Sequence, residues 1–164
     1  MGSGKSTIGK RLAKRLGWAF RDLDVCIEAA QGVSIAHIFD VQGEPAFREM
    51  ETAGLAGQLN QAQTAQLVLA LGGGAFAQPA NRKLLAAHDT IWLDCPFELI
   101  RRRVGSDPLR PLARDPERFE QLFLQRKAAY AQARYRIEIA GDDPRPAVES
   151  ILALPPASAW STRS

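Results

Sequence analysis

The residues with the clearest chemistry stand at the start of the chain, in the segment Gly2-Ser3-Gly4-Lys5-Ser6-Thr7. Glycines let main-chain amides approach an anion closely, and the N-terminus of the helix predicted to follow adds the positive end of its dipole. The pattern is typical of the end of a phosphate-binding loop, so we predict that this segment binds the phosphates of ATP. In such a loop Lys5 reaches the β- and γ-phosphates, and the Ser6 hydroxyl binds Mg2+. A flexible Gly-Ser terminus is the alternative.

The phosphate-binding pattern is incomplete at its start. The full pattern has another glycine five positions before Gly4, which would precede Met1, and a buried strand normally feeds the loop. We therefore expect the protein to begin upstream of Met1. A chain without that strand is expected to be less stable than an extended one.

Two carboxylates, Asp22 and Asp24, follow a short predicted strand. Phosphoryl transfer depends on cations around the phosphates and on a carboxylate near the attacking hydroxyl. We expect Asp22 and Asp24 to lie on opposite sides of the chain and to serve different purposes. Capping of the next helix is the alternative explanation, and it is compatible with function.

Arg48 and Arg126 are the candidates for binding a substrate carboxylate, because a guanidinium group grips a carboxylate through two parallel hydrogen bonds. Arg126 shares one helical stripe with four apolar residues: Phe119, Leu122, Phe123 and Tyr130. A charge on such a stripe needs a partner, unless the side chain reaches solvent at the edge of the core. For Arg48 the alternative is an ordinary helical ion pair with Glu44 or Glu51.

The run Gly72-Gly73-Gly74 follows the apolar segment 67–71, which is typical of a strand buried on both faces. Open α/β sheets bind ligands at the carboxyl ends of their strands, and backbone without side chains approaches a ligand closely. We therefore predict substrate contacts at these glycines, although a tight turn is the simpler alternative. Arg110 lies in the polar stretch 106–114, which by composition alone is a surface loop.

The elements that must position these residues alternate between strands and helices. Predicted strands are 19–22, 67–71, 90–93 and 136–140, and predicted helices are 6–16, 24–31, 45–61, one that begins at Pro96, 115–130 and 146–154. Strands separated by helices imply a parallel sheet with helices on both faces, so the fold class is α/β, doubly wound. We expect a single domain over residues 1–154 and a flexible tail at 155–164.

The composition of the chain limits the classes of ligand and partner that we expect. The chain has 164 residues, 46% of them hydrophobic, and a net charge of +3. Its basic runs at residues 10–15 and 101–103 fall on predicted helices with apolar opposite faces, which favours solvated helix faces over a nucleic-acid site. No apolar run is long enough to span a membrane, and two cysteines, Cys26 and Cys95, are expected to be buried and reduced. We therefore expect a cytoplasmic protein that binds anionic small molecules.

Taken in order, these motifs resemble the shikimate kinase family, within the nucleoside-monophosphate-kinase-like P-loop kinases. They are the loop at 2–7, Asp22-Leu23-Asp24, Gly43-Glu44 with Phe47-Arg48-Glu49-Met50-Glu51, Gly72-Gly73-Gly74, and Arg110-Pro111-Leu112. The resemblance covers residues 1–154 and implies a five-stranded parallel sheet of order 2-3-1-4-5, whose first, central strand is missing from this chain. It also implies ATP, Mg2+ and shikimate as ligands, a monomeric enzyme, and a step of aromatic amino-acid (chorismate) biosynthesis.

The resemblance also assigns roles to residues. Lys5, Asp24 and Arg110 are implied to be catalytic, with Asp24 at the attacking hydroxyl and Arg110 on a lid, about residues 106–114, that closes over ATP. Ser6 and Asp22 are implied to hold Mg2+; the acceptor is bound by Asp24, Arg48, Gly72, Gly73, Gly74 and Arg126.

The sequence departs from the family pattern in two places: Ala113 follows Arg110-Pro111-Leu112, and Lys127-Ala128-Ala129-Tyr130 lacks the usual Pro-Leu. Both concern local packing of the lid and the helix. Two alternatives to a shikimate kinase stay open, a related P-loop kinase for another polyol acid or a nucleotide, and a non-catalytic sensor with the same fold.

Overall fold

A computed structural model of the chain describes residues 2–62, 65–105 and 116–155. The strands of this part are β1 (Ala19–Asp22), β2 (Leu67–Ala70), β3 (Ile91–Asp94) and β4 (Tyr135–Glu138). The helices are α1 (Lys5–Leu16), α2 (Leu23–Gln31), α3 (Ile35–Ala62), α4 (Pro79–Leu84), α5 (Phe97–Gly105), α6 (Pro116–Tyr130) and α7 (Arg145–Leu152), and a short 3-10 turn, η1, spans Ala75–Ala77.

All strand pairing in the described residues is parallel. Strand β1 pairs with β2, and β3 pairs with β4, in two two-stranded sheets. Parallel neighbours need long crossover connections, which the helices between the strands supply. The predicted α/β class with a parallel sheet is therefore confirmed. The two pairings are those that the order 2-3-1-4-5 predicts for its second strand with its third and its fourth with its fifth.

The chain divides into two compact units. The central unit comprises residues 9–86, and the terminal unit comprises residues 1–8 and 87–164. Helix α1 contributes its first turn to the terminal unit and the rest to the central unit. The single domain over residues 1–154 stays a prediction. Residues 156–164 of the predicted tail lie outside the described part.

The central unit has a core built from helices α2 and α3 and the segment after β2. Its buried members are Leu23, Ile27, Ile38, Phe47, Leu55, Ala75 and Leu85. Leu23 and Ile27 are four residues apart on α2, so they lie on one face of the helix and bury it against α3. This packing fixes the start of α2, where Asp24 lies.

Helix α3 is longer than the predicted helix 45–61 and is interrupted at Gly43. The backbone there has φ 81° and ψ 172°, a conformation that only glycine adopts without strain. Pro45 consequently falls in the first turn of the second helical segment, where its missing N–H costs no hydrogen bond. The segment from Ile35 to the break was not predicted, although Ser34 is a favoured N-cap residue and its Oγ accepts from the amide of His37 at 3.2 Å.

The terminal unit is packed around α5, α6, α7 and β4. Phe97 contacts Phe119 and Phe123, with ring centroids 5.4 and 5.2 Å apart, and Ile100 and Ile151 are buried. The strand predicted at 136–140 is present, but it begins one residue earlier and ends two residues earlier, at Tyr135–Glu138. Helix α4 was not predicted, since its six residues are too short for a periodic signal.

The two cysteines are both free thiols. Cys95 is buried as predicted, and burial raises the pKa of its thiol, while the nearby Arg103 lowers it by less. The prediction was wrong for Cys26, which is only half-buried because it lies at the edge of the α2 face that Leu23 and Ile27 bury. None of the helices in the described part combines the length and apolar character of a membrane span.

Replacement of Leu55 by alanine tests the core of the central unit. Leu55 has no solvent exposure, so Leu55→Ala removes buried methyl groups and leaves a cavity. We expect a loss of about 2–5 kcal/mol in the free energy of unfolding, measured by urea denaturation. The control is Val25→Ala, because Val25 is 61% exposed and should change the free energy by less than about 0.5 kcal/mol. Equal losses in the two variants would contradict this assignment of the core.

Candidate active site

The phosphate-binding loop adopts the backbone that its glycines predict. Gly2 and Gly4 have φ of 66° and 88°, and the amide of Ile8 donates to the carbonyl of Gly4 at 2.9 Å, so α1 starts directly after the loop. The first turn of α1 contains no acidic residue, and its N-terminal amides therefore face no competing carboxylate from that turn. The loop can bind an anion with its main chain.

Arg103 connects this loop with the segment after β4. Its Nη1 donates to the carbonyl of Gly2 at 3.0 Å, its Nη2 to the carbonyl of Gly141 at 2.7 Å, and its Nε to Asp142 at 2.9 Å. The hydrogen bond from Arg103 lowers the pKa of Asp142. The prediction of a solvated helix face for residues 101–103 was thus wrong for Arg103, although Arg101 and Arg102 are exposed. Sequence spacing gave no signal, because these partners are far apart along the chain.

Asp24 meets the triple-glycine run within the central unit. Strand β1 pairs with β2 in a register that sets Asp22 opposite Ala70, so the ends of both strands lie together. A Cβ built on Gly72 would come within 2.5 Å of Asp24 Oδ1, so only glycine fits this position without displacing the carboxylate. Asp24 itself is half-buried in the first turn of α2 rather than on the strand. The structure thus sets Asp24 beside the glycine run, and the roles predicted for both stay predictions.

Asp22 caps α2. Its Oδ1 accepts a hydrogen bond from the amide of Asp24 at 3.2 Å, which satisfies one of the unpaired donors at the helix start. The capping explanation therefore holds for Asp22. A carboxylate has a second oxygen and further lone pairs, so capping leaves room for another ligand.

Arg48 lies against Gly74. A Cβ on Gly74 would collide with the guanidinium of Arg48, at 2.6 Å from Nη2 and 2.7 Å from Cζ. The guanidinium also forms both ion pairs that helical spacing allows, from Nη2 to Glu44 and from Nη1 to Glu51, each at 2.8 Å. Burial lowers the pKa of Arg48, but the hydrogen bonds with Glu44 and Glu51 outweigh it and raise the pKa above its ordinary value. Arg48 is therefore a fixed cation beside the glycine run.

Glu51 is the buried partner of this cation. Its side chain is only 1% exposed, and Oε2 accepts from Arg48 Nη1 at 2.8 Å and from Gln78 Nε2 at 2.6 Å. A buried carboxylate needs such partners, because the loss of its hydration costs about several kcal/mol. Sequence reasoning found Glu51 as part of a motif but missed Gln78, which lies 27 residues away along the chain.

Arg126 lies on α6 in the terminal unit. It is half-buried, and the stripe it shares is confirmed by Phe119, which is buried, and by Phe123 and Tyr130, which are half-buried. Arg126 has no hydrogen-bond or ion-pair partner among residues 2–62, 65–105 and 116–155. Its predicted role in binding a carboxylate stays a prediction.

Two groups of predicted site residues thus have described surroundings: the phosphate loop in the terminal unit, and Asp22, Asp24, Arg48 and the glycine run in the central unit. Arg110 and the predicted lid at 106–114 lie outside the described residues. The roles assigned to Lys5, Ser6, Thr7 and Gly73 also stay predictions.

A glycine-rich loop at a helix N-terminus in a parallel α/β fold is typical of the P-loop kinases of small molecules. A family model described as shikimate kinase matches residues 1–154. The chain belongs to the shikimate kinase family.

Individual relatives agree with this assignment. The chain is 41% identical over 160 residues to a shikimate kinase of Microcystis aeruginosa, covering 95% of this chain and 83% of the relative. It is 45% identical over 157 residues to one of Caulobacter vibrioides, covering 93% of this chain and 76% of the relative. The solved shikimate kinase of Acinetobacter baumannii in complex with shikimate has a TM-score of 0.85 and 36% identity, and the match covers 99% of this chain and 91% of that one.

Removal of the Arg48 charge tests the buried ion pair. In Arg48→Met the carboxylate of Glu51 loses its cationic partner while it stays buried. We expect the free energy of unfolding at neutral pH to fall by about 2–3 kcal/mol, measured by urea denaturation. The double variant Arg48→Met with Glu51→Gln is the control and should recover part of the loss, because no buried charge is then left unpaired. A double variant that is less stable than Arg48→Met alone would contradict the ion pair.

Proposed function

We propose that this chain transfers the γ-phosphoryl group of ATP to a hydroxyl of shikimate, which yields shikimate 3-phosphate and ADP. The observation that carries the proposal is the contact of Asp24 and Arg48 with the glycine run, since it sets a proton acceptor and a carboxylate-binding cation beside a backbone with no side chains. Family membership over residues 1–154 supports the same reaction. The reaction belongs to aromatic amino-acid biosynthesis.

The phosphate loop is proposed to bind the triphosphate of ATP. The amides of the loop and the start of α1 provide hydrogen bonds and a positive dipole end. Lys5 adds a point charge at the β- and γ-phosphates, where negative charge shifts during transfer. The remaining nucleotide contacts are assigned to Ser3, Ser6 and Thr7 by the family pattern.

Arg48 and Arg126 are proposed to bind the carboxylate of shikimate. Arg48 has a raised pKa and forms ion pairs with two carboxylates, of which that of Glu51 is buried. Arg126 is half-buried and has no partner among the described residues, which suits a cation that awaits an anionic ligand. Bidentate binding by arginine fixes how the acid lies in the site, and this positioning acts together with the electrostatic stabilisation that phosphoryl transfer requires.

Asp24 is proposed to accept the proton of the attacking hydroxyl. The hydroxyl oxygen forms a bond to the γ-phosphorus, the bond from that phosphorus to the bridging oxygen breaks, and ADP leaves with the electron pair. The proton goes to a carboxylate oxygen of Asp24, which lies beside Gly72. The absence of a side chain at Gly72 leaves room for this carboxylate.

Mg2+ is proposed to be held by Ser6 and, through water, by Asp22. The described residues contain no cluster of three His, Cys, Asp or Glu side chains that would form a protein cage for a metal. A hydroxyl and one carboxylate fit Mg2+, which at kinase sites keeps several waters and takes its other ligands from phosphate oxygens. When bound, the ion neutralises charge on the phosphates.

Arg110 is proposed to act as the cation of the lid. By family resemblance it closes over ATP and excludes water, which would otherwise compete with shikimate for the phosphoryl group. We further propose a monomer that works in the cytoplasm on small molecules. The two free thiols support a reducing compartment.

The reaction is tested by a coupled assay of ADP release with shikimate, quinate, gluconate and nucleoside monophosphates as acceptors. We expect turnover with shikimate and far less with the other compounds. Turnover only with another acid would indicate a related kinase. Binding of shikimate without turnover, in the presence of Mg2+ and ATP, would indicate a non-catalytic sensor.

Replacement of Asp24 by asparagine tests the proton acceptor. Asparagine keeps the size of the side chain but cannot take the proton, so Asp24→Asn should lower kcat by about a hundredfold or more. The KM for ATP should stay within about twofold, because Asp24 is not assigned to the nucleotide. The exposed Asp40→Asn is the control and should behave like the parent chain. Undiminished kcat in Asp24→Asn would remove this residue from the mechanism.

Replacement of Arg126 by lysine tests the second carboxylate contact. Lysine keeps the charge and loses the forked geometry, so the KM for shikimate should rise by about tenfold while kcat changes less. Steady-state kinetics with varied shikimate measure the effect, and the exposed Arg101→Lys serves as the control. An unchanged KM would instead support an arginine that only covers the edge of the core.

A further inference from the structure

Helix α4 and the residue before it contact the surroundings of Arg48 from two directions. Gln78 stands at the N-terminal cap position of α4, and its Nε2 donates to Glu51 Oε2 at 2.6 Å. Arg82, one turn further on, donates from Nη1 to the carbonyl oxygens of Phe76 and Ala77 at 3.0 and 2.7 Å. Neither residue belongs to the family motifs quoted above.

Gln78 affects Arg48 through Oε2 of Glu51, which both residues contact. Oε2 of Glu51 accepts from both Gln78 and Arg48, so one buried oxygen fixes the guanidinium relative to α4. The other carboxylate next to Arg48, that of Glu44, is 62% exposed and therefore holds the arginine weakly. Glu51, supported by Gln78, is the anchor that keeps Arg48 in place.

The contacts of Arg82 hold the turn that follows Gly74, the glycine next to the guanidinium of Arg48. The turn η1 follows Gly74, whose missing side chain makes room for the guanidinium. All three carbonyls of this turn accept hydrogen bonds from α4, because Asn81, fully buried, donates from Nδ2 to the carbonyl of Ala75 at 3.0 Å. The position of the turn against Arg48 is thus set by side chains of α4.

We propose that Gln78 and Arg82 are positioning residues for Arg48, and through it for the carboxylate of the acceptor. This inference rests on the proposed function. Without Gln78 the guanidinium follows the exposed Glu44, and without Arg82 the turn that faces the guanidinium loses two of its anchors. In both cases the fork of Arg48 must be ordered again when the acceptor binds, and that ordering weakens binding.

We expect a change only in the KM for the acceptor. Gln78 and Arg82 touch neither the phosphate loop nor Asp24, so the KM for ATP and kcat should change little. A residue that only stabilises the fold would lower the amount of active protein and leave the KM of the folded fraction unchanged. The ratio of the two KM values therefore separates positioning from stability.

The test compares four variants of the full chain. Gln78→Met keeps the shape and removes the donor, and we expect the KM for shikimate to rise about tenfold while the KM for ATP stays within about twofold. Arg82→Met should act in the same direction, and Arg82→Lys should restore part of the affinity, because an ammonium group still donates to carbonyls. Lys83→Met, an exposed residue of the same helix, is the control and should match the parent chain.

An independent readout follows Arg48 itself. The NMR signal of the Arg48 Nε–H group, assigned with Arg48→Lys, should be sharp and slowly exchanging in the parent chain and averaged in Gln78→Met. Gln78 is half-buried and lines an open groove of about 490 Å3, so its replacement is compatible with folding even if Arg82→Met unfolds.

The outcomes are distinct. Unchanged KM for shikimate in Gln78→Met, or an equal rise of both KM values, overturns the inference and leaves the proposed function intact. Absence of shikimate phosphorylation in the parent chain overturns the proposed function, and the NMR signal then still decides whether Gln78 positions Arg48. An unchanged NMR signal in Gln78→Met overturns the positioning role in either case.

Discussion

A carboxylate that is shut away from water must find cations and donors inside the protein, and Glu51 imposes this requirement on the central unit. Its partners are Arg48 on its own helix and Gln78 on the segment before α4. Satisfying one buried oxygen thereby orders a guanidinium that would otherwise be a mobile side chain. The cost of burying Glu51 is offset by a preorganised cation, which is the property that recognition of an anionic substrate requires.

The candidate site depends secondly on glycines, which let functional side chains approach the backbone closely. Gly72 leaves space for the Asp24 carboxylate, and Gly74 leaves space for the Arg48 guanidinium. At Gly2 a side chain would press on Ile100 and Val104, at 3.1 Å from each. At Gly72 and Gly74 a candidate functional group occupies the volume that a Cβ would fill, so substitution there displaces that group, whereas substitution at Gly2 would disturb packing.

Contiguous sequence motifs predicted much of the candidate site, and the residues that the sequence did not predict are those whose contacts are distant along the chain. The loop before α1 and the glycine run after β2 are contiguous motifs whose backbone requirements appear in the residues themselves. Arg48 was predicted as a ligand or as a helical ion-pair partner, and the structure forms the ion pairs beside the glycine run. Arg103 and Gln78 were missed because their partners lie 101 and 27 residues away, a separation that no local pattern encodes. Helix α4 was missed because its six residues are shorter than two turns.

Arg82 holds the turn η1 by carbonyl oxygens, which are identical in every amino acid. These hydrogen bonds therefore do not involve the side chains of Phe76 and Ala77, and a substitution at either position leaves the accepting oxygens chemically unchanged. The path of the turn is set instead by side chains of α4, while Ala75 and Phe76 of the turn pack into the core of the central unit.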